Sequence, residues 1–563
     1  MYSEASEDHN QRSLKVSWFS LRYLSGKRMM VPVALTLGLL LSTLFIRRTW
    51  TDGDEGRYVV LAQSVASGAG LRKIYLPGPA VENLRHPGYG IVLGIVRSLF
   101  PDSLTALRLV SLVSYLAFIV FFALILAKDE TLKPTAAWTA LLLGGYGVFF
   151  LSFAWRILTE MLFVSLIYGV FLVDRYWNRR LPLAAAAVTG IATGLAITVR
   201  PAGLGVAVAV ILAWVIRRRP MCVLLFVAAL ACVYGPVLIR NYNILGAPSV
   251  YLSHFGGSGG EAKGYLSCAI SNIGESLPHY YLDILPRLMF FSLFDGRCLL
   301  CLLSLEGLRQ PLAWSISLLC VVGWLARLKR RGVPELFWLV YWVFLAAYNQ
   351  PDYAARGEFL FQARYLVPLL PLAGVFLSEG AWFVGERLQK YLPAGRMLAM
   401  ALLSLAAAYV LATSLVAGVI RVGKEMSVRR LHDWDPRRIE AAGETSFARF
   451  VQAHLWLKRH ATQGTIVISR IPQHSFLISG LKSIRYDGAD MPIRKPWDIV
   501  ERYWSETTDV VIVEDCFPTN SGYGRSRVST LEPMLKQHSD ELQLIYETPP
   551  PVTRIWKVTR LLP

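Results

Sequence analysis

Leu109–Leu126 reads LVSLVSYLAFIVFFALIL, a run of 18 residues without a charge. A helix rises about 1.5 Å per residue, so this run alone comes close to crossing a hydrocarbon core of roughly 30 Å. Val31–Ile46, Leu204–Val215 and Leu398–Val416 are equally free of charge. Across the 563 residues, 54% are hydrophobic and only 17% charged, with a mean hydropathy of +0.42. A soluble chain carries about a quarter charged residues. The deficit, gathered into blocks, implies a polytopic membrane protein.

The formal net charge of +19 does not imply nucleic-acid binding, because many of the basic residues sit in short loops between apolar blocks. There they orient helices and meet anionic headgroups. The seven cysteines define no redox compartment. Cys298 and Cys301 have CxxC spacing without a second pair or a histidine, which is the pattern of packing residues. The first apolar block follows a polar, basic stretch ending Ser25-Gly26-Lys27-Arg28, with no small-residue cleavage site before Arg47. It reads as an uncleaved anchor.

Spans are expected at 29–47, 105–127, 135–154, 157–174, 182–199, 202–216, 221–239, 311–326, 334–349, 365–385 and 397–418. Segments 86–100 and 283–304 are apolar but short or interrupted, which suits interfacial or re-entrant helices and puts the total at about 11–13. Lys15–Arg28, Lys128 and Lys133, Arg175-Arg179-Arg180, Arg217–Arg219, Arg327–Arg331 and Arg387–Arg396 then fall on one side. The positive-inside rule makes that side cytoplasmic. Residues 1–28 form a cytoplasmic segment, 29–419 a transmembrane part with outer loops 48–104 and 240–310, and 420–563 a polar region outside. Within the last, Thr465–Ser469, Asp509–Val513, Leu542–Glu547 and Arg554–Val558 read as strands, and Phe447–Leu457 and Pro496–Trp504 as helices. This predicts a small soluble α/β C-terminal domain. It has no glycine-rich nucleotide loop.

Charged residues gather at the outer ends of the spans. They are Asp52, Asp54, Glu55 and Arg57, Arg85-His86, Arg108, Arg156 and Glu160, Arg200, Arg240 and Arg364. Ionisable groups at membrane depth are costly, so they pair or line a functional cavity. An arginine-rich set suits a phosphate. Moving a sugar from a polyprenyl phosphate needs a base for the acceptor's proton, while cations carry the charge of the leaving phosphate. Asp54-Glu55-Gly56-Arg57-Tyr58 supplies a carboxylate and a cation. The same acids are equally suited to cap a helix N-terminus, and Arg156 and Glu160, four apart, to form a local ion pair.

Asp54-Glu55-x-Arg57-Tyr58 followed by Ala66-Ser67-Gly68 resembles the first-loop signature of family-39, GT-C-type membrane glycosyltransferases, which include protein O-mannosyltransferases and the lipid A aminoarabinose transferase. His86-Pro87-Gly88-Tyr89 stands where that family has a Lys/His-Pro-Pro-Leu-like motif, with Gly88 in place of the second proline. Arg156-x-x-x-Glu160 resembles its second acidic loop, Thr198-Val199-Arg200-Pro201 its T-R-P hairpin with one residue inserted, and Pro236-x-x-x-Arg240-Asn241-Tyr242 the end of its seventh span. Arg364-Tyr365-x-x-Pro368 resembles the opening of a later span. The resemblance covers about residues 30–385.

It implies a glycosyltransferase working with inversion on the non-cytoplasmic face, in a bacterial inner or plasma membrane. The donor would be a polyprenyl-phosphate-linked sugar and the acceptor a lipid, glycan or protein. By the same resemblance Asp54 is the catalytic carboxylate. Glu55 and Glu160 are further acids, and Arg57, Tyr58, His86, Arg156, Arg200, Arg240 and Arg364 lie around the donor phosphate. A divalent metal at Asp54 and Glu160 is compatible with the family, some of whose members need one. A transporter or flippase would instead show internal repeats and broken mid-membrane helices; no convincing repeat is evident, and the charges collect at one face rather than mid-membrane. A glycan polymerase or ligase, or a scaffold binding a partner through its outer domain, are the other readings.

Overall fold

The computed structural model describes residues 30–44, 53–82, 85–245, 273–274, 276–290, 306–348, 363–422, 446–486, 496–505, 508–515 and 530–560. The membrane part is built from α1 (Met30–Thr43), α2 (Gly53–Ala66), α3 (Pro87–Leu99), α4 (Leu104–Lys128), α5 (Pro134–Gly145), α6 (Glu160–Trp177), α7 (Pro182–Val199), α8 (Leu204–Ile216) and α9 (Pro220–Leu245). It continues with α10 (Arg309–Leu328), α11 (Val333–Tyr348), α12 (Leu370–Leu388) and α13 (Gly395–Val422). Among the described residues, five helices are long and apolar enough to cross a bilayer: Leu104–Lys128, Pro182–Val199, Pro220–Ile244, Arg309–Leu328 and Gly395–Ala417. Their outward faces carry bare aliphatic side chains, including Val113, Leu224, Leu318 and Leu405, each more than 60% exposed. Such surface is stable against lipid rather than water.

Each expected span contains a helix, with altered limits. The stretch expected as 135–154 is broken, because α5 stops at Gly145 and only the single turn Val148–Leu151 follows. The stretch expected as 157–174 begins at Glu160, after a run of turns. The seventh span runs on to Leu245 with Pro236 inside it. The tenth opens with a 3-10 turn, Arg364–Leu366, before α12. Residues 86–100 hold the 13-residue helix α3. In the 283–304 stretch, the described residues are 283–290, the end of a π-helical turn, His279–Ile284, and the short helix Leu285–Met289 that follows it.

Hydrophobic burial does not drive helices together inside lipid, so close packing must. Glycines supply it. A Cβ on Gly323 of α10 would lie 1.9 Å from the Phe376 carbonyl oxygen of α12, and one on Gly380 would lie 2.0 Å from that of Leu319. The two backbones therefore touch. Gly190 and Gly194 of α7 meet α9 in the same way, at Phe226 and Val233. Between the helices lies an aromatic seam in which Phe118 meets Phe150 and Tyr168, both at 4.9 Å between ring centres.

One end of the bundle is closed by a buried ionic knot. Arg327 Nη1 donates to Glu379 Oε1 at 2.8 Å and Nε to Glu335 Oε1 at 3.2 Å, while Nη2 reaches Asp129. Arg330 Nη1 lies 3.0 Å from Asp129 Oδ2 and Arg175 Nη2 lies 3.5 Å from Asp129 Oδ1. Nearby, Arg217 Nη1 meets Asp174 Oδ1 at 2.5 Å. The basic loops after α4, α6, α8 and α10 thus lie at one end of the bundle. Glu160, at the other end of α6, is about 22 Å from Arg175 along the helix.

The C-terminal α/β unit contains α14 (Ser446–His460), β1 (Ile466–Ser469), α15 (Pro472–Ser479), β2 (Ser483–Arg485), α16 (Pro496–Tyr503), β3 (Val510–Glu514), β4 (Leu542–Glu547) and β5 (Arg554–Val558). The sheet order is β2-β1-β3-β5-β4. β1 is parallel to both β2 and β3, and β5 is antiparallel to β3 and β4. β1 and β3 are buried along their length apart from Glu514 and read as continuous apolar runs, as parallel strands do. The unit is seated on the first long loop. Val60, Tyr75 and Leu76 complete its core alongside Ile468, Ile484 and Ile512. The Ser483 amide donates to the Tyr75 carbonyl at 2.7 Å, and Lys482 Nζ to that of Ile74 at 2.7 Å.

Candidate active site

At the end of the bundle opposite the ionic knot, five segments bring charges together. α2 opens Gly53-Asp54-Glu55, with the acids in its first turn where the helix dipole favours them. Asp54 uses its two oxygens elsewhere. Arg85 Nη2 donates to Oδ1, and Arg364 Nη1 donates to Oδ2 at 2.9 Å. Arg364 Nε turns to Glu160 Oε1 at 2.7 Å, and Arg200 Nη1 reaches the same oxygen at 3.1 Å. The result is a ladder, Arg85–Asp54–Arg364–Glu160–Arg200, of three guanidinium groups and two carboxylates. Its surplus is one positive charge. Among the described residues, Glu160 Oε2 is buried without a hydrogen-bond partner.

Aromatic rings hold the ladder in place. Arg200 lies 5.4 Å from the Tyr365 ring centre and 5.9 Å from that of Phe163. Arg85 lies 5.8 Å from the Tyr58 ring, which stands edge-on to Tyr89 at 5.0 Å. The Tyr89 hydroxyl and Ser111 Oγ are 3.2 Å apart, and Ser111 donates to the Arg156 carbonyl at 2.5 Å. Burial opposes ionisation of Asp54, but Arg85, Arg364 and Arg57 outweigh it and hold the carboxyl well below the usual carboxylate range.

Beside the ladder is a second node. Arg240 Nη2 donates to the Glu82 carbonyl at 2.7 Å, and Glu82 Oε1 accepts the Arg85 amide at 3.2 Å. His86 stands at the N-cap position of α3 and is hydrogen-bonded to the backbone of Ile197. Burial pushes its imidazole down to about 4, so it is neutral at pH 7 and adds no charge for an anion. Gly88 explains the departure from Pro-Pro. A Cβ there would lie 2.3 Å from Thr198 Oγ1 and 2.9 Å from the Thr198 carbonyl, so only glycine lets α3 meet the Thr198–Pro201 hairpin.

Of the sequence-predicted residues, Asp54, Glu160, Arg200 and Arg364 are brought into direct contact, and Tyr58 braces Arg85. Arg57 is close enough to Asp54 to lower its proton affinity. Arg240 and His86 adjoin the ladder at Glu82 and Arg85. Glu55 is 4% exposed and neighbours the 5%-exposed Arg108. The expected ion pair of Arg156 with Glu160 does not form. Residues 152–159 are turns, so the four-residue spacing does not align the two, and Glu160 takes Arg200 and Arg364 instead. Arg156 bears on the site through its carbonyl. Arg85 was visible only as a charge beside His86, and Tyr365 and Phe163 carried no sequence signal beyond the aromatic class.

A divalent cation does not fit this donor set. Both Asp54 oxygens and Glu160 Oε1 are engaged by guanidinium groups. No group of three His, Cys, Asp or Glu able to hold a metal stands among the described residues. The arrangement suits a phosphate, whose oxygens accept from arginine.

No family model and no curated protein matches the chain. Solved structures do. ArnT from Cupriavidus metallidurans in the apo state is 14% identical with a TM-score of 0.57, covering 97% of this chain and 99% of that one. The same protein bound to undecaprenyl phosphate gives 13% and 0.56, with 94% and 97% covered. The oligosaccharyltransferase of Archaeoglobus fulgidus, tethered with an acceptor peptide, is 12% identical with a TM-score of 0.55, covering 96% of this chain and 74% of that one. Matched over nearly its whole length to membrane glycosyltransferases of two kinds, the chain has the GT-C fold.

Proposed function

We propose that the protein is a glycosyltransferase that moves a sugar from a polyprenyl-phosphate donor to a lipid, glycan or protein acceptor, with inversion, on the non-cytoplasmic face of the membrane. The observation that carries the reading is the ladder: two carboxylates held among three arginines at the end of a GT-C bundle opposite the ionic knot. Neighbours of the same fold hold undecaprenyl phosphate and dolichol-phosphate.

In this reading the acceptor oxygen attacks the anomeric carbon as the bond from that carbon to the phosphate oxygen breaks. The acceptor proton passes to Asp54, and arginine holds the charge of the departing phosphate. Asp54 pinned by Arg85 and Arg364 is a weak base. A donor phosphodiester offers those arginines a competing anion whose charge grows as the bond to the sugar breaks, so donor binding loosens their hold and raises the basicity of Asp54. Glu160, fully enclosed, keeps Arg200 and Arg364 oriented toward the phosphate.

The orientation rests on the basic loops gathered at the end with Asp129. A reporter fused after Pro563 that works only in the cytoplasm would overturn it. The function is tested by incubating the purified protein with a panel of radiolabelled polyprenyl-phosphate sugars and candidate acceptors. Release of free polyprenyl phosphate coupled to label transfer is expected. Intact donor across the panel would refute the reading.

A further inference from the structure

The helix that carries Asp54 meets the C-terminal unit at Val60 and, nearer its start, at Gly56. Gly56, two residues after Asp54, faces His474 of α15. A Cβ on Gly56 would lie 2.6 Å from His474 Cε1 and 2.7 Å from Nδ1. Those are ring atoms of a side chain that has nowhere to go. His474 is 1% exposed, and the Phe447 ring stands edge-on to it at 6.1 Å. Arg57, the next residue of α2, acts electrostatically on both His474 and Asp54.

The location on the sheet is informative. Parallel sheets take ligands outside the carboxyl ends of their strands, where successive connections leave in opposite directions. Here β1 connects through α15 to β2 on one side, and β3 lies on its other side. Arg470 and Asp515, just beyond the ends of β1 and β3, pair at 3.3 Å and are both nearly fully buried. Arg470 also acts on His474. The surroundings of this position are thus built into contact with the chain's own α2.

We propose that the Gly56–His474 contact is the positioning element for Asp54: the C-terminal unit sets the height and rotation of the first turn of α2, and through it the reach of the Asp54 carboxylate. The inference rests on the glycosyltransferase reading for its kinetic arm only. His474 touches no reacting atom in this scheme.

Alanine inside a helix is ordinarily more stabilising than glycine, so a Gly56→Ala loss must come from the clash. The experiment compares Gly56→Ala, His474→Ala and the double variant in the full-length protein. Amide hydrogen exchange is read in α2, with β1 and β3 as a check that the unit stays folded, and His474→Ser stands in if His474→Ala unfolds. Gly56→Ala should raise exchange in the first turns of α2 and lower kcat about tenfold or more. The dissociation constant for undecaprenyl phosphate should change less than threefold. The double variant should recover exchange and kcat to the level of the histidine variant alone. Wild-type exchange in Gly56→Ala, or a double variant no better than Gly56→Ala, would overturn the proposal. If no donor is turned over by the parent protein, the glycosyltransferase reading fails while the exchange arm still decides the contact.

Discussion

Replacing Asp54 by asparagine separates architecture from chemistry, and the ladder fixes the expected size of each effect. Asparagine tolerates the first turn of a helix as aspartate does, so α2 loses only the dipole contribution there, roughly 0.3–1 kcal/mol. The larger loss is the charge between Arg85 and Arg364. Hydrogen bonds to charged groups contribute about 1.5–3 kcal/mol each. The amide oxygen can keep one of the two as an ion–dipole contact, and the Asp54 side chain is 14% exposed, so screening removes little. A net loss of ~3 kcal/mol follows. At 25 °C that leaves a lower melting temperature and a folded protein. Removing a proton acceptor costs about 10²–10⁴-fold in rate, so single-turnover transfer with saturating donor should fall at least 100-fold in Asp54→Asn. The assay pairs that rate with a detergent-solution melt on one preparation. A variant that melts lower yet turns over within threefold of wild type would refute Asp54 as the base and leave it an ion-pair partner. A variant that melts like wild type would refute the energetic account of the ladder.

Arg240→Ala should weaken undecaprenyl-phosphate binding by about 10–150-fold. The exposed Arg180 is the control, and equal affinity in Arg240→Ala and Arg180→Ala would remove Arg240 from the site. Chelation with EDTA should leave transfer unchanged, since guanidinium groups occupy the carboxylates; a tenfold loss restored by added divalent cation would sink that expectation. Burial, aided by His454, Arg470 and Arg57, pushes His474 down to about 3, and burial pushes His454 down to about 4. Both are neutral when folded and bind protons when unfolded below about pH 6.5. Their stabilisation is complete above that pH and is lost on acidification, ~2 kcal/mol for each between pH 6.5 and 5. Melting that is constant between pH 7 and 5 would contradict this.

Much of the fold was legible because bilayers impose a coarse code of apolar length and basic loops. β4 and β5 were readable to the residue from alternation and branched side chains. Helix interruptions were not, because Pro134–Leu151 is apolar throughout and breaks at glycines that pack on neighbouring helices. Gly144 is one, with Pro371 within 2.6 Å of where its Cβ would be. β2, three residues long, and α15, with Gln473, His474 and Ser475 buried together, violate the patterns that announce elements. At the site, sequence could say that Asp54 and Glu160 needed cations. It could not say which, since Arg364 is 310 residues from Asp54 and the local candidate Arg156 required a helical turn that does not exist. The charge state of His86 was hidden for the same reason: enclosure is a tertiary property.

The edge of the sheet at β2 is not an edge in the intact chain. Open strand edges recruit other strands, and here the first long loop already occupies that place through Ser483 and Lys482, while Val60, Tyr75 and Leu76 cover the apolar surface beneath. Residues 446–560 cut away from the bundle would bare both at once and become sticky. What looks like a detachable soluble module is half of an object whose other half is threaded to the membrane. Its evolution is tied to the loop that carries Asp54, so neither can drift in shape without the other following.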